Sequence, residues 1–231
     1  MKKALIVMIF LLLASVTQSD QTRRSTSKQI QTVFTNIYTT GGWYCGASYS
    51  GLGSDLCQTR IIRVEIPKLL ERYNIKSMAD APCGDFYWMR EVLLDVQYIG
   101  IDIVEEIIEK NKQLYCNDLR TFQSLDIVND ALPKVDLILC RDCLVHLSNE
   151  HVAKALRNIK KSGATYLLVT NFMNTRENVD IATGNWRPIN LTEAPFNFPD
   201  PLEVINEGCT EGGRKAGDKA LALWRLADVQ I

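Results

Sequence analysis

The stretch Ser77-Met-Ala-Asp-Ala-Pro-Cys-Gly-Asp-Phe86 decides the fold of this 231-residue chain. It is typical of a short buried strand that ends in a turn of small residues and then opens a helix. Pro82 stiffens that turn, and Gly84 leaves out a side chain where a ligand can touch the backbone. We expect amides at the start of the helix to face the ligand, with Asp80 and Asp85 placing negative charge beside it.

A second apolar strand, Gln97-Tyr-Ile-Gly-Ile-Asp102, follows and ends in an acid. A strand, a glycine turn, a helix, a strand and an acid make up the order of elements in nucleoside sites. The carboxylate there accepts hydrogen bonds from ribose hydroxyls. Pro82 and Phe86 stand where a dinucleotide-binding turn usually has glycine, so a pyrophosphate would fit poorly. A nucleoside without phosphates is the better fit.

Two motifs carry a resemblance to a known family. The turn resembles the acid-x-G-x-G motif of class I S-adenosylmethionine-dependent methyltransferases. The longer pattern D-x-P-C-G-D-F-x-W-M (Asp80 to Met89) and the later R-D-x-L-V-H-L-S (Arg141 to Ser148) are similar to a little-characterised branch of that family. The resemblance runs from about Asn36 to the C-terminus. It implies an α/β, three-layer Rossmann-like fold and S-adenosyl-L-methionine as the cofactor.

The order of the predicted elements agrees with that fold, because strands alternate with helices and so predict a mainly parallel sheet. The predicted strands are Lys76–Asp80, Tyr98–Asp102, Thr121–Asp126, Asp136–Cys140 and Thr165–Thr170. The predicted helices are Ile61–Tyr73, with Pro67 either starting or kinking it, Phe86–Leu94, Ile103–Leu114 and one capped by Ser148. Leu202–Asn206 and Ala220–Leu226 read as a terminal strand pair. The resemblance implies seven strands, with this pair as an antiparallel hairpin.

Candidate ligand-binding residues gather at the carboxyl ends of the predicted strands, which is where open α/β sheets bind ligands. The acid and aliphatic pair Asp126-Ile127 resembles the adenine site of the family. The resemblance implies that the following residues bind the cofactor: Asp80, Pro82, Gly84, Asp85, Asp102, Ile103, Asp126, Ile127, Cys140 and Arg141.

His146 is the candidate general base, because it follows the fourth strand and its pKa suits proton transfer. A histidine that only holds the loop together is the alternative. Arg141 and Asp142 either orient an acceptor or form an ion pair within the loop, and the sequence favours neither. Arg187 is a second candidate for binding an acceptor carboxylate or phosphate. We expect His151 to be exposed.

The chain has seven cysteines, and they are not spaced like a disulfide scaffold. Cys140-x-x-Cys143-x-x-His146 lacks a fourth ligand, so we predict no metal. Cys45 and Cys57 lie in the N-terminal loop region, where a disulfide in an oxidising compartment is a hypothesis. Asn190-Leu-Thr192 matches a glycosylation sequon, although such short matches are frequent by chance.

The N-terminus has the pattern of a secretory signal peptide: Lys2-Lys3, the apolar run Ala4–Val16 and then polar residues. A short signal anchor is the alternative, since the run is too short for a comfortable bilayer span. We predict a signal segment at 1–19, a leader and lid at 20–59, with 20–30 loose, and a methyltransferase domain at 60–231. The protein is then secreted, in the secretory pathway, or anchored by this segment. The aromatics of 33–59 suit either a surface loop or a lid.

The formal net charge of -1 gives no electrostatic case for binding nucleic acid. The resemblance therefore predicts methyl transfer to a small-molecule or glycan acceptor, with no stable membrane span. The donor is made in the cytosol, whereas the leader indicates the secretory route. A catalytically inactive secreted protein that keeps the fold as a binding module is thus the alternative. A nicotinamide oxidoreductase is disfavoured by the missing glycines.

Overall fold

A computed structural model describes residues 26–211 and 216–231 and shows an α/β architecture. The four helices of the described part are α1 (26–39), α2 (Ile62–Arg72), α3 (Glu105–Tyr115) and α4 (Asn149–Lys161). The strands are β1 (Ser77–Asp80), β2 (Gln97–Asp102), β3 (Arg120–Ser124), β4 (Leu137–Cys140), β5 (Tyr166–Phe172), β6 (Glu203–Asn206) and β7 (Lys219–Arg225).

These strands form one seven-stranded sheet in the order β3-β2-β1-β4-β5-β7-β6. The pairs from β3 to β5 are parallel, whereas β7 runs antiparallel to both β5 and β6. The predicted sheet is therefore confirmed, including its terminal antiparallel hairpin. Because β7 is antiparallel, its first residues lie at the same edge as the carboxyl ends of the parallel strands.

Apolar side chains cover both faces of the sheet, which explains the three layers. Along β4, Ile138 belongs to the cluster beneath α4, while Leu137 and Leu139 belong to the cluster beneath α2. This alternation follows from the two-residue period of a strand. Both faces are buried, so β4 is a continuous apolar run with no polar side.

The predicted helix Phe86–Leu94 is wrong. Only a short 3-10 turn, Met89–Glu91, forms there. Phe86 has a φ of 58°, in the left-handed region, and this breaks any helix that would start at the turn. Its ring is buried against Tyr98 and Phe122, so packing holds the backbone in this conformation. The turn therefore has no helix N-terminus to offer a ligand.

The expectations for the N-terminal part need two corrections. Residues 26–30, predicted as part of a loose leader, belong to α1, while 1–25, with the signal segment, lie outside the described residues. Helix α2 starts at Ile62 and contains Pro67, so the alternative of a start at Pro67 is wrong. The cost of the missing amide is offset by the buried side chains on the inner face of the helix: Ile62, Ile66, Leu69 and Leu70.

Within 26–211 and 216–231, none of the helices has the length and apolar character needed to cross a bilayer. The segment on which the signal-peptide and anchor alternatives depend lies before residue 26, so both remain predictions.

Gly100, in the middle of β2, provides a test of the packing between the first three strands. It pairs with Asp80 of β1 and with Phe122 of β3. A Cβ at this position would lie 2.4 Å from Cδ1 of Phe122 and 3.1 Å from Sγ of Cys83. We expect Gly100→Ala to lower the free energy of unfolding by about 1–3 kcal/mol, measured by urea denaturation, because the core is overpacked.

The matched control is Gly42→Ala, just after α1, where the nearest atom to the added Cβ would be 3.4 Å away. We expect this variant to unfold close to the parent protein. Equal stability of the two variants would contradict the packing described for β2.

Candidate functional site

A cavity of about 490 Å³ lies at the edge of the sheet where the parallel strands end. Asp80 ends β1 and Asp102 ends β2, while Asp126 and Arg141 follow β3 and β4. All four side chains line the cavity. The structure therefore brings together residues that are far apart in the sequence, as the predicted sheet requires.

Two buried carboxyl groups form the centre of the wall. Asp80 accepts a hydrogen bond from the hydroxyl of Tyr98 at 2.7 Å, and burial raises its pKa to about 7. Asp102 accepts from the backbone amides of Gly84 at 3.1 Å and Val104 at 2.9 Å. These two hydrogen bonds favour the ionised form, but burial outweighs them and raises the pKa of Asp102 to about 6. Asp102 is thereby fixed to the β1 turn.

Gly84 has a φ of +54°, and the space beside its Cα is filled by the protein itself. A Cβ there would meet Oγ of Ser50 at 2.2 Å. The absence of a side chain at Gly84 therefore makes room for the N-terminal loop on the outer side of the turn, and not for a ligand. Pro82 and Gly84 both line the cavity on its inner side.

Asp85 and Cys140 are the two predicted cofactor-binding residues that are not among those lining the cavity. The carboxylate of Asp85 accepts hydrogen bonds from the hydroxyls of Ser48 and Ser50 and from the amide of Tyr49. It therefore anchors the N-terminal loop to the turn. Cys140 is fully buried within the apolar cluster beneath α4, because β4 is covered on both faces.

The part of the cavity beyond β2 and β3 combines an acid with apolar walls. Asp126 accepts hydrogen bonds from the amide of Val128 and the hydroxyl of Ser27, both at 2.8 Å. Ile103 and Ile127 lie beside it and also line the cavity. The three residues predicted for this region are thus together in the structure.

The segment 43–54, which we call the cover, closes one side of the cavity. Trp43, Tyr49 and the Ser50–Ser54 stretch line the cavity, and the ring of Tyr49 packs on Tyr38 of α1 at 5.3 Å. Both alternatives drawn from the sequence, a surface loop and a lid, stay predictions, and the structure adds that the aromatic residues Trp43 and Tyr49 line the cavity. The aromatic and glycine-rich composition was the available signal.

Five charged residues form an ionic cluster at the far end of the cavity: Arg141, Asp142, Glu207, Glu211 and Lys219. Arg141 Nη2 lies 2.7 Å from Glu207 Oε2 and donates to the carbonyl of Gly53 at 2.8 Å. Lys219 Nζ lies 2.6 Å from Asp142 Oδ2. These contacts favour the ion-pair alternative for Arg141 and Asp142.

The charges of this cluster stabilise one another despite their burial. Desolvation opposes the charge on Arg141, yet Glu207 and Asp142 raise its pKa above the usual value. Burial likewise opposes ionisation of Asp142, yet Lys219 and Arg141 hold its pKa below the usual range. Sequence reasoning missed Glu207 and Lys219, which contact Arg141 and Asp142 across 66 and 77 residues, respectively.

His146 lines the cavity. One of its ring nitrogens hydrogen-bonds within the protein, and the other can accept a proton. Its Nδ1 lies 2.9 Å from the carbonyl oxygen of Asn185. A carbonyl only accepts hydrogen bonds, so Nδ1 carries the proton and Nε2 holds a lone pair. Among the described residues no group hydrogen-bonds to Nε2. Burial lowers the pKa of His146, which keeps the ring neutral near pH 7, and the ring of Trp43 packs on it at 4.5 Å.

Arg187, predicted as a possible acceptor-binding residue, is not among the residues lining the cavity. Its guanidinium donates to the carbonyls of Leu144 and Val179 and to the side chain of Asn149. It therefore joins the long loop after β5 to the start of α4. His151, predicted to be exposed, is half-buried with its Nδ1 2.7 Å from Oγ1 of Thr183.

Burial bears on the sequon at Asn190, and the state of the thiols bears on the disulfide hypothesis. Asn190 is buried, and its side-chain amide donates to the carbonyl of Thr175, so the sequon is closed to a glycan in the folded protein. Cys45 and Cys57 are free thiols, as are the other five cysteines of the chain, so the disulfide hypothesis is wrong for this structure. In the described ranges, no group of three or more His, Cys, Asp or Glu residues is arranged to hold a metal ion.

Comparison with protein-family models and with curated proteins gives no match. Solved structures do resemble the chain. The N-methyltransferase NodS from Bradyrhizobium japonicum WM9 in complex with S-adenosyl-l-homocysteine matches with a TM-score of 0.59 and 16% identity, covering 82% of this chain and 98% of that chain. Burkholderia thailandensis 1,6-didemethyltoxoflavin-N1-methyltransferase, with bound 1,6-didemethyltoxoflavin and S-adenosylhomocysteine, matches with a TM-score of 0.57 and 14% identity, covering 87% and 89%.

Human N-acetylserotonin methyltransferase in complex with SAM matches with a TM-score of 0.53 and 16% identity, over 71% of this chain. The chain spans about half of that enzyme, namely 51% of its length. These similarities show that the chain has the Rossmann-like fold of class I S-adenosylmethionine-dependent methyltransferases. The predicted fold class is confirmed.

Because the ionic cluster is buried, we expect that removing one of its charges lowers the stability of the protein strongly. The side chains of Arg141 and Glu207 are only 4% and 1% exposed. We expect Glu207→Gln to lower the free energy of unfolding by about 3–5 kcal/mol, because it leaves a buried guanidinium without its main counter-charge. Chemical denaturation at pH 7 measures the difference.

Glu65→Gln is the control, because Glu65 forms an exposed pair with Lys68 on α2. We expect it to cost less than about 1 kcal/mol. A Glu207→Gln variant as stable as this control would show that the cluster is not needed to hold the edge of the sheet together.

Proposed function

We propose that this protein transfers a methyl group from S-adenosyl-L-methionine to a small-molecule acceptor. The observation that carries the proposal is the position of Asp102. Its carboxylate ends β2, lines the cavity and is held by the amides of Gly84 and Val104. This is the place where a nucleoside-binding α/β fold needs an acceptor for ribose hydroxyls. The shared fold of known methyltransferases supports the proposal.

The residues along β1 to β3 fit the donor. In the proposal Asp102 holds the ribose, and Asp126 with Ile103 and Ile127 holds the adenine between an acid and two aliphatic side chains. Asp80 and the turn Pro82–Gly84 contact the amino-acid part of the donor. When bound, S-adenosyl-L-methionine supplies a methyl group that is activated by the positive charge of its sulfur. The carboxylates of the wall complement that charge.

His146 is the proposed general base. Its Nε2 carries the free lone pair, because Nδ1 donates to the carbonyl of Asn185. When the acceptor is a hydroxyl, its proton moves to Nε2 as the new bond to carbon forms and the bond from that carbon to sulfur breaks. A protonated amine first gives its proton to Nε2, and its freed lone pair then attacks the methyl carbon. The lowered pKa of His146 keeps this nitrogen unprotonated at neutral pH. Burial of the ring against Trp43 holds it in one orientation.

The cover is proposed to act as a lid that excludes water during transfer. Methyl transfer from a sulfonium needs alignment and exclusion of water more than covalent help from the protein. The link from Asp85 to Ser48 and Ser50 and the hydrogen bond from Arg141 to Gly53 hold the cover in place. Opening the cavity to the donor requires these contacts to break.

The acceptor is proposed to be a small molecule or a glycan. A signal segment at 1–19 and a secretory location remain part of the proposal and rest on the sequence pattern alone. The alternative, a secreted protein with this fold that binds without catalysing transfer, is distinguished by the experiment on His146 below.

Asp102→Asn tests the donor site. We expect it to weaken binding of S-adenosylhomocysteine by about 1–3 kcal/mol, because the hydrogen bonds to the ribose lose their charge assistance. Isothermal titration calorimetry measures the dissociation constant, and Asp118→Asn, at an exposed position, is the control. Unchanged affinity in Asp102→Asn would remove the ribose assignment.

The same carboxyl group gives the binding a pH dependence. With a pKa of about 6 in the folded protein, Asp102 becomes ionised as the pH rises, so the affinity for S-adenosylhomocysteine should increase roughly tenfold from pH 5 to pH 8. The stability of the protein should depend on pH in the opposite direction to its affinity. Because the pKa of Asp102 is higher in the folded than in the unfolded state, its contribution to stability is full below the unfolded pKa and is lost as the pH rises through 6. Asp102→Asn should weaken both dependences, and the part that remains comes from other groups such as Asp80, whose pKa is about 7. An affinity that falls with pH would contradict the assignment.

His146→Gln tests the base. We expect turnover to fall by about 10²-fold or more while the affinity for S-adenosylhomocysteine changes less than twofold. The assay is transfer of radiolabelled methyl to acceptors identified in a screen of amines, sugars and small acids. His151→Gln serves as the control on the same stretch.

Full activity of His146→Gln would assign the histidine a structural role only. Binding of S-adenosylhomocysteine by the parent protein, with no transfer to any acceptor in the screen, would favour the binding-module alternative.

A further inference from the structure

We infer that the acceptor carries a cationic group, which the half of the cavity beyond β4 recognises. This inference rests on the proposed function, because the proposed function assigns the other half of the cavity, along β1 to β3, to the donor. The half in question, which we call the acceptor half, is lined by His146, Phe172, Trp186, Glu211 and Lys219.

The sheet order separates the acceptor half from the donor half. Asp102 ends β2, and Lys219 starts β7, which lies four strands further along the order β2-β1-β4-β5-β7. At about 4.8 Å between neighbouring strands, the two positions are roughly 19 Å apart along the edge. A ligand held by Asp102 and Asp126 therefore leaves the far wall for a second molecule.

Acidic side chains outnumber basic ones on the wall of the whole cavity, although burial raises the pKa of Asp80 and Asp102 toward neutral pH. Two cationic side chains line it, Arg141 and Lys219, against five carboxyl groups: Asp80, Asp102, Asp126, Asp142 and Glu211. Both cations are already paired. Arg141 binds Glu207 at 2.7 Å, and Lys219 binds Asp142 at 2.6 Å with Glu207 at 3.7 Å. The described residues thus offer no unpaired cation in the cavity to an anionic acceptor.

The ionic cluster also has a direction. The side chains of Arg141 and Lys219 are 4% exposed, whereas those of Asp142 and Glu211 are 27% exposed. The positive ends are therefore buried in the wall, and the negative ends face the cavity. Among the described residues Glu211 has weak partners, the thiol of Cys209 at 3.7 Å and Nζ of Lys219 at 3.9 Å. Its carboxylate keeps acceptor positions for a hydrogen-bond donor in the cavity.

Aromatic side chains give a second and independent reason. The indole ring of Trp186 lines the acceptor half, whereas the ring of Trp43 is already packed on His146. Trp186 is 52% exposed and is held edge-on to Phe172, with 5.9 Å between ring centroids. The face of an indole ring attracts organic cations more strongly than other side-chain rings do. An organic ammonium group that contacts the carboxylate of Glu211 and the indole ring of Trp186 matches this half of the cavity.

The experiment compares two probes of similar size and opposite charge, phenethylammonium and 3-phenylpropionate. Each is titrated into the parent protein by calorimetry, once alone and once with saturating S-adenosylhomocysteine. We expect phenethylammonium to bind at least tenfold more tightly than 3-phenylpropionate under both conditions. Equal affinity for the two probes, or tighter binding of the anion, overturns the inference.

Two variants locate the binding. Glu211→Gln should reduce the preference for phenethylammonium to less than threefold, with unchanged affinity for S-adenosylhomocysteine. Trp186→Leu, at a half-exposed position where folding tolerates change, should weaken phenethylammonium about 2- to 5-fold. Glu109→Gln on the outer face of α3 should change neither. If neither the Glu211 nor the Trp186 variant affects the preference, the inference is wrong.

Failure of the inference and failure of the proposed function give different results. Binding of S-adenosylhomocysteine without a cation preference refutes the inference alone. A cation preference that depends on Glu211, in a protein that does not bind S-adenosylhomocysteine, refutes the donor site instead. If Glu211→Gln weakens S-adenosylhomocysteine as much as it weakens phenethylammonium, the carboxylate serves the ammonium group of the donor and the inference is overturned.

Discussion

The buried ion pair between Arg141 and Glu207 is the interaction on which the functional edge of this fold depends. Arg141 follows β4, Glu207 follows β6, and the same guanidinium donates to Gly53 of the cover. One side chain thus joins the parallel part of the sheet, the terminal hairpin and the N-terminal segment. Because this ion pair is buried, removing either partner would cost several kcal/mol, since the other charge would then be buried without a partner. The cavity has a defined wall only while all three parts are joined.

The chemistry of the cavity follows from how burial treats each group. The pKa values of Asp80 and Asp102 are raised toward neutral pH, because both carboxyl groups lie among apolar residues with few counter-charges. Asp142 stays ionised because Lys219 and Arg141 surround it. His146 stays neutral because burial opposes its charge and Asn185 accepts its only proton. One cavity therefore combines proton-accepting, hydrogen-bonding and permanently charged groups.

The sequence predicted the sheet well because the relevant signals are local. Strands β2 and β4 are apolar runs that end in an acid or are followed by charged residues, and the rule that parallel strands end at one edge places Asp80, Asp102 and Asp126 together. The errors have an equally physical cause. Phe86 looked like the start of a helix, yet the packing of its ring in the core imposes a left-handed backbone. Asp85 and Arg187 carry charges that suit a ligand, yet both are used to hold loops in place.

The amino-acid sequence by itself determined the α/β class, the order of the strands along the chain and the identity of the acids that end them. These follow from apolar periodicity and from the rule that parallel strands end at one edge. Only the tertiary structure decided which charges are paired and which face the cavity. Glu207, Lys219 and Glu211 are distant in sequence from Arg141 and Asp142, and their roles arise when the antiparallel hairpin closes beside β5. Side-chain pairing depends on such long-range contacts, which no local pattern encodes.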